Sequence, residues 1–372
     1  MKNNNIFKLL PIAAAVAISA QASAAITLYD QDATTFSVDG LFNTFYVNSD
    51  SSADGANDVS QSRVKMGFLP NYIGFNFSKE IDGLTVGGRS SLWISTSDTD
   101  LNRGAEDAGT ETLIDARQVY ATVDGDFGQV LVGKDFGLFN RSNIFGDEML
   151  LGFGQTMTVT DDGGNVSFGN IGTGYLYPMP NSQITYRMPA MGGFNLAVGL
   201  MDPNKRSAAS EESRPRIEAE GSYALDFDGG SAKGWLGYMN QESKEAGTSL
   251  TSKGVSYGLN VKFAGVALTA SGFTAEGVGA AGLGNILTAD SAEVDGKLLQ
   301  ASYTLGATRL VVSKGDNDGG STDGGSELDL KNKTLAVFHS VNSNLILVGE
   351  WDKAESATAE TTTVALGAVV TF

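Results

Sequence analysis

The chain has 372 residues, no cysteine, one histidine and a formal net charge of −18. Without cysteine, disulfide frameworks, thiolate metal sites and lipoprotein attachment are excluded, and so acidic a chain is a poor match to a nucleic-acid backbone. Beyond the N-terminus no stretch approaches the ~20 apolar residues of a spanning helix, so a membrane reading has to be a β reading.

Lys2 and Lys8 form a short basic segment, residues 9–20 are apolar and small, and Ala22-Ser23-Ala24 has the small-x-small form of a signal-peptidase site. The apolar run is too short for a good spanning helix. Residues 1–24 are therefore read as a cleaved secretion signal and 25–372 as the mature domain, more acidic still once Lys2 and Lys8 are gone.

The mature chain repeats one unit of about ten alternating residues followed by a turn. Val64, Met66 and Phe68 share one face, and Ile73, Phe75 and Phe77 share the same face after an odd step, with Leu69-Pro70-Asn71 between. Proline cannot donate to a β-ladder, so the phase change predicts a bulge there. Further on, Leu84, Val86, Leu92 and Ile94 fall on one face while Thr85, Arg89 and Ser91 fall on the other. At the C-terminus Val364, Leu366, Ala368, Val370 and Phe372 alternate in the same way. A period of two lets one face meet lipid and the other water, and helical spacing is absent.

Seven short connections punctuate the chain: Asp82-Gly83, residues 124–126, 190–193 and 226–231, Ala264-Gly265, Gly306-Ala307 and residues 342–344. Eight longer polar segments alternate with them, near 48–58, 96–111, 135–181, 201–214, 241–251, 275–295, 315–329 and 354–360. Fifteen connections join sixteen strands. Strict alternation puts short turns on one side and long loops on the other, the layout of an all-β transmembrane antiparallel β-barrel with short periplasmic turns and long extracellular loops. Tyr120, Tyr223, Trp235, Tyr238, Phe263, Phe273, Tyr303 and Trp351 sit near strand ends, where they could form interfacial girdles.

The third long connection, residues 135–181, carries Phe136, Phe139, Phe145, Met149, Leu150, Leu151 and Phe153. So apolar a loop packs on something, and in a wide barrel the available surface is the inner wall.

Ile73-Gly74-Phe75 with Gly83-Leu84, Arg117 with Phe127-Gly128 and Gly133-Lys134, Asn181-Ser182 with Tyr186, Pro189 and Gly193-Phe194, and the terminal Phe372 together resemble the general (non-specific) porins of Gram-negative outer membranes. Nearly the whole mature chain takes part. The resemblance implies a homotrimer of sixteen-stranded barrels in the cell outer membrane, each with its third loop folded into the pore. Acidic residues on that loop, here Asp147 and Glu148, then face basic wall residues, here Arg117. Tyr72 stands where the family has another wall arginine, and Tyr177 or Met179 where it has a further cation. Arg63, Lys65 and Arg89, on expected lumen faces, could substitute, although any lumenal cation is as readily an ordinary solvated or paired residue. Phe372 resembles the terminal aromatic read by the barrel-assembly machinery, and outer-membrane lipid and lipopolysaccharide are the implied surroundings.

The function implied is passive diffusion of small hydrophilic solutes and ions, with a weak cation preference because wall cations are few and the chain is acidic. The alternative is a substrate-selective channel for a sugar, phosphate or other small solute. No cofactor or metal is expected. Asp316, Asp318 and Glu327 have calcium-loop spacing, but Ser321 stands where that loop requires glycine. An enzyme is not expected either, since His339 is the only available imidazole base and no Gly-x-Ser-x-Gly elbow accompanies it.

Overall fold

The computed structural model describes residues 25–96, 114–155, 167–279, 293–319 and 329–372. Its strands are β1 (Ile26–Gln31), β2 (Thr34–Ala53), β3 (Val59–Lys65), β4 (Asn71–Ile81), β5 (Leu84–Ile94), β6 (Ile114–Gly125), β7 (Gly128–Phe136), β8 (Pro180–Arg187) and β9 (Phe194–Met201). A short helix, α1 (Arg141–Phe145), lies between β7 and β8. The second half adds β10 (Arg216–Phe227), β11 (Gly230–Glu245), β12 (Thr248–Phe263), β13 (Val266–Glu276), β14 (Glu293–Leu305), β15 (Thr308–Gly319), β16 (Leu330–Ser340), β17 (Leu345–Glu355) and β18 (Ala359–Thr371).

Each strand except β3 pairs antiparallel with the next, and β18 pairs with β2 from Thr371↔Leu41 to Ala359↔Ala53, which closes the sheet. β3 and β4 both pair with β2 and occupy one position in the ring. The barrel thus has the sixteen positions expected from sequence. Closure removes the unpaired edges that no strand can carry into hydrocarbon. β1 is additional. It pairs with the lower end of β2 at Ile26↔Val38 to Gln31↔Thr34, just beyond the point where Phe372 exchanges backbone hydrogen bonds with Gly40. The chain's last strand and its first therefore follow one another along the same side of β2.

All seven short turns are present. Asp82-Gly83 and Ala264-Gly265 hold positive φ at both central residues, the geometry that matches the twist of paired strands. An eighth turn, Asp32-Ala33, does the same without glycine (φ 52° and 56°), so it carries no sequence signature. Three of the expected long loops are corrected. The 241–251 segment is two extended strands paired up to Glu245↔Thr248 around an Ala246-Gly247 turn. The 354–360 and 48–58 segments shrink to residues 356–358 and 54–58. Polar composition marks where the lipid zone ends, but the ladder continues above it because the partner strand still satisfies each backbone group. The 96–111, 275–295 and 315–329 segments fall largely outside the described residues, as does the expected signal 1–24.

The bulge near Pro70 is a larger feature than expected. β2 pairs with β3 up to Phe45↔Lys65 and with β4 from Leu41↔Tyr72, so this side carries three residues more than β2. Asn43 fills the gap: its backbone N–H donates to Asn71 Oδ1 at 2.6 Å, its Nδ2 donates to the Leu69 carbonyl at 2.7 Å, and its Oδ1 accepts from Gly67 N–H. Met66 and Phe68 do not share a face with Val64. Val64 is 66% exposed on the outside, whereas Met66 and Phe68 leave the ladder and turn inward.

The outer face is apolar around the ring, with Leu92, Val132, Ile184, Leu200, Leu236, Leu268, Leu299, Leu335 and Leu366 all exposed. In a barrel this exposure is the lipid belt. Tyr223, Tyr238, Phe263, Tyr303 and Trp351 face outward as expected of a girdle, but Trp235 and Phe273 are buried inside, and Tyr120 shares the inward face of Arg89, with which it pairs in register. Strand parity decides this, not proximity to a strand end.

Candidate pore constriction

The described residues between β7 and β8, 137–155 and 167–179, fold into the barrel and follow the wall strand by strand. Asn140, in a left-handed conformation (φ 62°), turns the chain into α1. Leu138 packs on Ala197 and Met201. Phe139 and Leu176 pack with Met239, Phe273, Ala275, Val278 and Val294. Ile144, Leu150, Ile171 and Tyr175 surround Phe68 and Leu298. Met149, Leu151 and Phe153 join the inner faces of β2 and β15–β18. Burying one such side chain contributes about 1.5–3 kcal/mol, so the apolar run that looked anomalous for a loop is what fastens it.

Polar anchors fix its register. Glu218 on β10 accepts the N–H groups of Leu138 and Phe139 through one oxygen (2.6 and 2.9 Å) and faces Arg216 with the other (2.8 Å). Glu220 accepts Ser142 N–H at 3.0 Å. Asn143 donates to the Gly272 carbonyl and accepts Trp235 Nε1–H at 2.7 Å. Trp235 has room because its register partner on β12 is Gly258, where a Cβ would lie 2.1 Å from the indole. Glu350 on β17 accepts the N–H groups of Phe153 and Gly154. Loop backbone that would otherwise be orphaned is thus satisfied by carboxylates of the wall.

Asp147 lies inside this assembly, 4% exposed. Its carboxylate accepts from Gln300 Nε2 (2.6 Å), Tyr175 Oη (2.6 Å) and Asn170 Nδ2 (3.0 Å). Burial, with Asp147 alongside, pushes the Tyr175 hydroxyl well above its ordinary pKa, so it stays protonated and donates. Glu148 meets Arg309 of β15 at 2.6 Å, and the same guanidinium nitrogen donates to the Glu148 carbonyl. The described contacts of both acids run to the β14–β15 wall and to the loop itself, and those of Arg117 run to the β5–β6 wall and to Tyr177 of the loop.

Arg117 sits at an irregularity in the β5–β6 ladder, where the register steps from Ser91↔Gln118 to Trp93↔Asp115. It meets Asp115 at 3.0 Å, donates to Tyr177 Oη at 2.9 Å and lies over the Trp93 ring at 5.1 Å. Tyr177 belongs to the returning limb of the loop, so this contact joins the loop to the β5–β6 wall. Arg89 heads a chain of hydrogen bonds across five strands. It binds Asp39 of β2 (2.6 Å), Asn76 of β4 and Gln118 of β6, while Gln118 donates to Asp135 of β7. Arg141 of α1 closes the chain on Asp135 at 3.2 Å. Gly74 lets the Arg89 guanidinium cross β4, since a Cβ there would meet it at 2.4 Å. Tyr72 stacks on Trp93 with centroids 4.7 Å apart, and Arg89 lies 5.7 Å from its ring. Arg63 and Lys65 share the inward face of β3, in register with buried Val47 and Phe45, and Lys65 is 4% exposed.

The structure therefore gathers Tyr72, Arg89 and Arg117 on one wall, places Arg63 and Lys65 beside it, and fixes Asp147 and Glu148 against β14 and β15. Sequence reasoning missed Glu218, Glu350, Arg309 and Arg141, and marked Tyr177 only as the place of an absent cation. Strand parity marked Glu218, Glu350 and Arg309 as inward, but nothing local told which loop atom each would meet. Phe372 stacks on Phe42 at 5.8 Å. His339 faces outward and hydrogen-bonds Thr308 at 2.9 Å. Asp316 and Asp318 belong to β15, and Glu327 lies outside the described residues.

Compared with known proteins, residues 12–358 match the family model described as Gram-negative porin. The fold is similar to that of the anion-selective porin from Comamonas acidovorans (17% identity over 91% of this chain and 100% of that one, TM-score 0.66). It is similar to the outer membrane channel DcaP of Acinetobacter baumannii (15% identity, 93% and 100% covered, TM-score 0.68). A third similar structure is OmpF of Salmonella typhi, solved with daunomycin (14% identity, 93% and 100% covered, TM-score 0.60). No curated protein matches the sequence.

Proposed function

We propose, from the premise that this chain belongs to the Gram-negative porin family and is an integral β-barrel channel of the outer membrane, that it passes small hydrophilic solutes and ions by passive diffusion with a weak cation preference. The observation that carries this is the pairing pattern of the lumen. Arg89, Arg117, Arg141, Arg216 and Arg309 each lie within ion-pair distance of a carboxylate. Asp147 and Glu220 rest on neutral donors. The charge of these five arginines is thereby cancelled locally while some negative charge is not, and such a lining favours cations modestly.

Residues 135–181 act as the constriction loop in this reading. Tyr72, Arg89 and Arg117, with Arg63 and Lys65 above them, form the wall that solutes pass. Asp147 and Glu148 hold the loop in place and shape the field from behind it. Alternating fixed charges across a narrow passage orient polar solutes and disfavour apolar ones. The active form is a homotrimer; a trimer form is described for a Vibrio cholerae outer membrane protein of the same fold. Residues 1–24 are removed on export, Phe372 signals to the assembly machinery, and lipid and lipopolysaccharide cover the apolar belt.

Conductance of the purified mature protein in a planar bilayer under a salt gradient tests the reading. Ohmic steps in groups of three with a slightly cation-directed reversal potential are expected. Absence of conductance removes the diffusion role, clear anion preference removes the cation clause, and block by one solute class at low concentration favours a substrate-selective channel.

A further inference from the structure

Arg187, the last residue of β8, breaks the pairing pattern. It is on the inward face, alternating with buried Gln183 and Thr185. Among the described residues its side chain makes no ion pair within 4.0 Å and no hydrogen bond, and its Nε is buried without a partner. The charged groups around it are Arg141, Glu220 and Asp135, with Tyr120 nearby. Each acid is engaged elsewhere: Asp135 accepts from Gln118 and Arg141, and Glu220 accepts from Ser142. The ladder explains the separation. Arg187, Ala197 and Glu220 form one row across β8, β9 and β10, so two strand spacings, about 10 Å at the backbone, lie between the guanidinium's strand and the nearest wall acid in that row.

We infer that Arg187 is an anion-binding post inside the lumen, taking small oxyanions such as phosphate or simple carboxylates. A guanidinium presents a planar fork of donors that fits such oxygens two at a time. With Arg141 beside it and the neighbouring acids already occupied, an entering anion supplies the acceptors that the wall does not. This rests on the channel reading and adds the residue that keeps the cation preference weak. In a lumen where Arg89, Arg117, Arg141, Arg216 and Arg309 each face a carboxylate, an uncancelled guanidinium beside the passage sets how readily anions follow.

Three measurements on the same bilayers separate the outcomes. Wild-type conductance tests the channel, the sign of the wild-type reversal potential tests the cation preference, and the change on substitution tests Arg187. Arg187→Gln is expected to lower the chloride-to-potassium permeability ratio by about twofold, and Arg187→Lys to restore most of it. In the wild type, inorganic phosphate is expected to reduce chloride current with saturation at millimolar concentration, and in Arg187→Gln that saturation is lost. An unchanged permeability ratio in folded Arg187→Gln overturns the inference. So does a wild-type chloride current that phosphate leaves unaffected, a test that needs no variant.

Discussion

Glu350 holds Gly154: the carboxylate of a β17 residue accepts the backbone N–H of Gly154 through one oxygen and that of Phe153 through the other. This part of the inserted loop is thus attached to the wall by a side chain nearly two hundred residues away in sequence. Removing the carboxylate leaves two buried donors without acceptors, each costing about 1–3 kcal/mol. Glu350→Ala should lower the temperature at which the folded barrel loses its heat-modifiable mobility on a gel, and should increase open-channel current noise. A variant as quiet and as heat-resistant as the wild type would show that the loop does not depend on this attachment.

Glu148 and Arg309 form the second attachment. The pair is mostly shielded, with 9% and 20% of the side chains exposed, and the guanidinium also lies 4.3 Å from the Phe338 ring. Removing one partner strands the other, so Glu148→Gln and Arg309→Met should each destabilise the barrel more than half as much as the double variant. A double-mutant cycle on urea unfolding in detergent should return a coupling of about 1–2 kcal/mol. Strict additivity would mean the pair is solvated rather than coupled.

Trp235 and Gly258 offer a packing test. The indole is 5% exposed, tied to Asn143 of the loop, and occupies the space a Cβ at Gly258 would need. Gly258→Ala should therefore cost about 1–3 kcal/mol from overpacking and shift tryptophan emission as the ring leaves its buried seat. Gly234→Ala, on the neighbouring strand and open at that point, should do neither.

Tyr175 gives the loop an alkaline limit. Burial first, then the neighbouring Asp147 carboxylate, raises its pKa well above 10.0. Below the unfolded value of about 10 the hydroxyl is protonated in both states, and its contribution is fully present. Above it the unfolded chain loses the proton while the folded one keeps it, so stability falls as pH rises toward the folded pKa. Unfolding midpoints measured from pH 9 to pH 12 should decline less steeply in Tyr175→Phe than in the wild type; equal slopes would place the alkaline sensitivity elsewhere.

Much of this architecture is legible in the chain itself. The period of two, the Asp-Gly and Ala-Gly turns and the apolar loop between Gly133 and Asn181 are local properties, and local backbone preferences act on residues only a few positions apart. Strand parity likewise told which way Arg89 and Arg63 point. The turn at Asp32-Ala33 was invisible because neither residue advertises positive φ, and the 241–251 loop was misread because Ser, Glu and Lys look like a loop even where their backbone is paired.

The site divides along the same line. Alternation placed Arg89 on a lumen face, and the family resemblance put Tyr72 and Arg117 on a wall and Asp147 and Glu148 on a loop. Which charges cancel was decided by the tertiary fold. Only when the loop settles on β10–β17 do Glu350 and Gly154 or Arg309 and Glu148 come within hydrogen-bonding distance, and Asp39 reaches Arg89 across the intervening β4 of the ladder. The ladder register likewise leaves Ala197 between Arg187 and Glu220. A carboxylate two residues or two strands away has the same letter in the sequence, but the Coulomb energy falls with distance and rises with desolvation, and both are set by the tertiary fold alone.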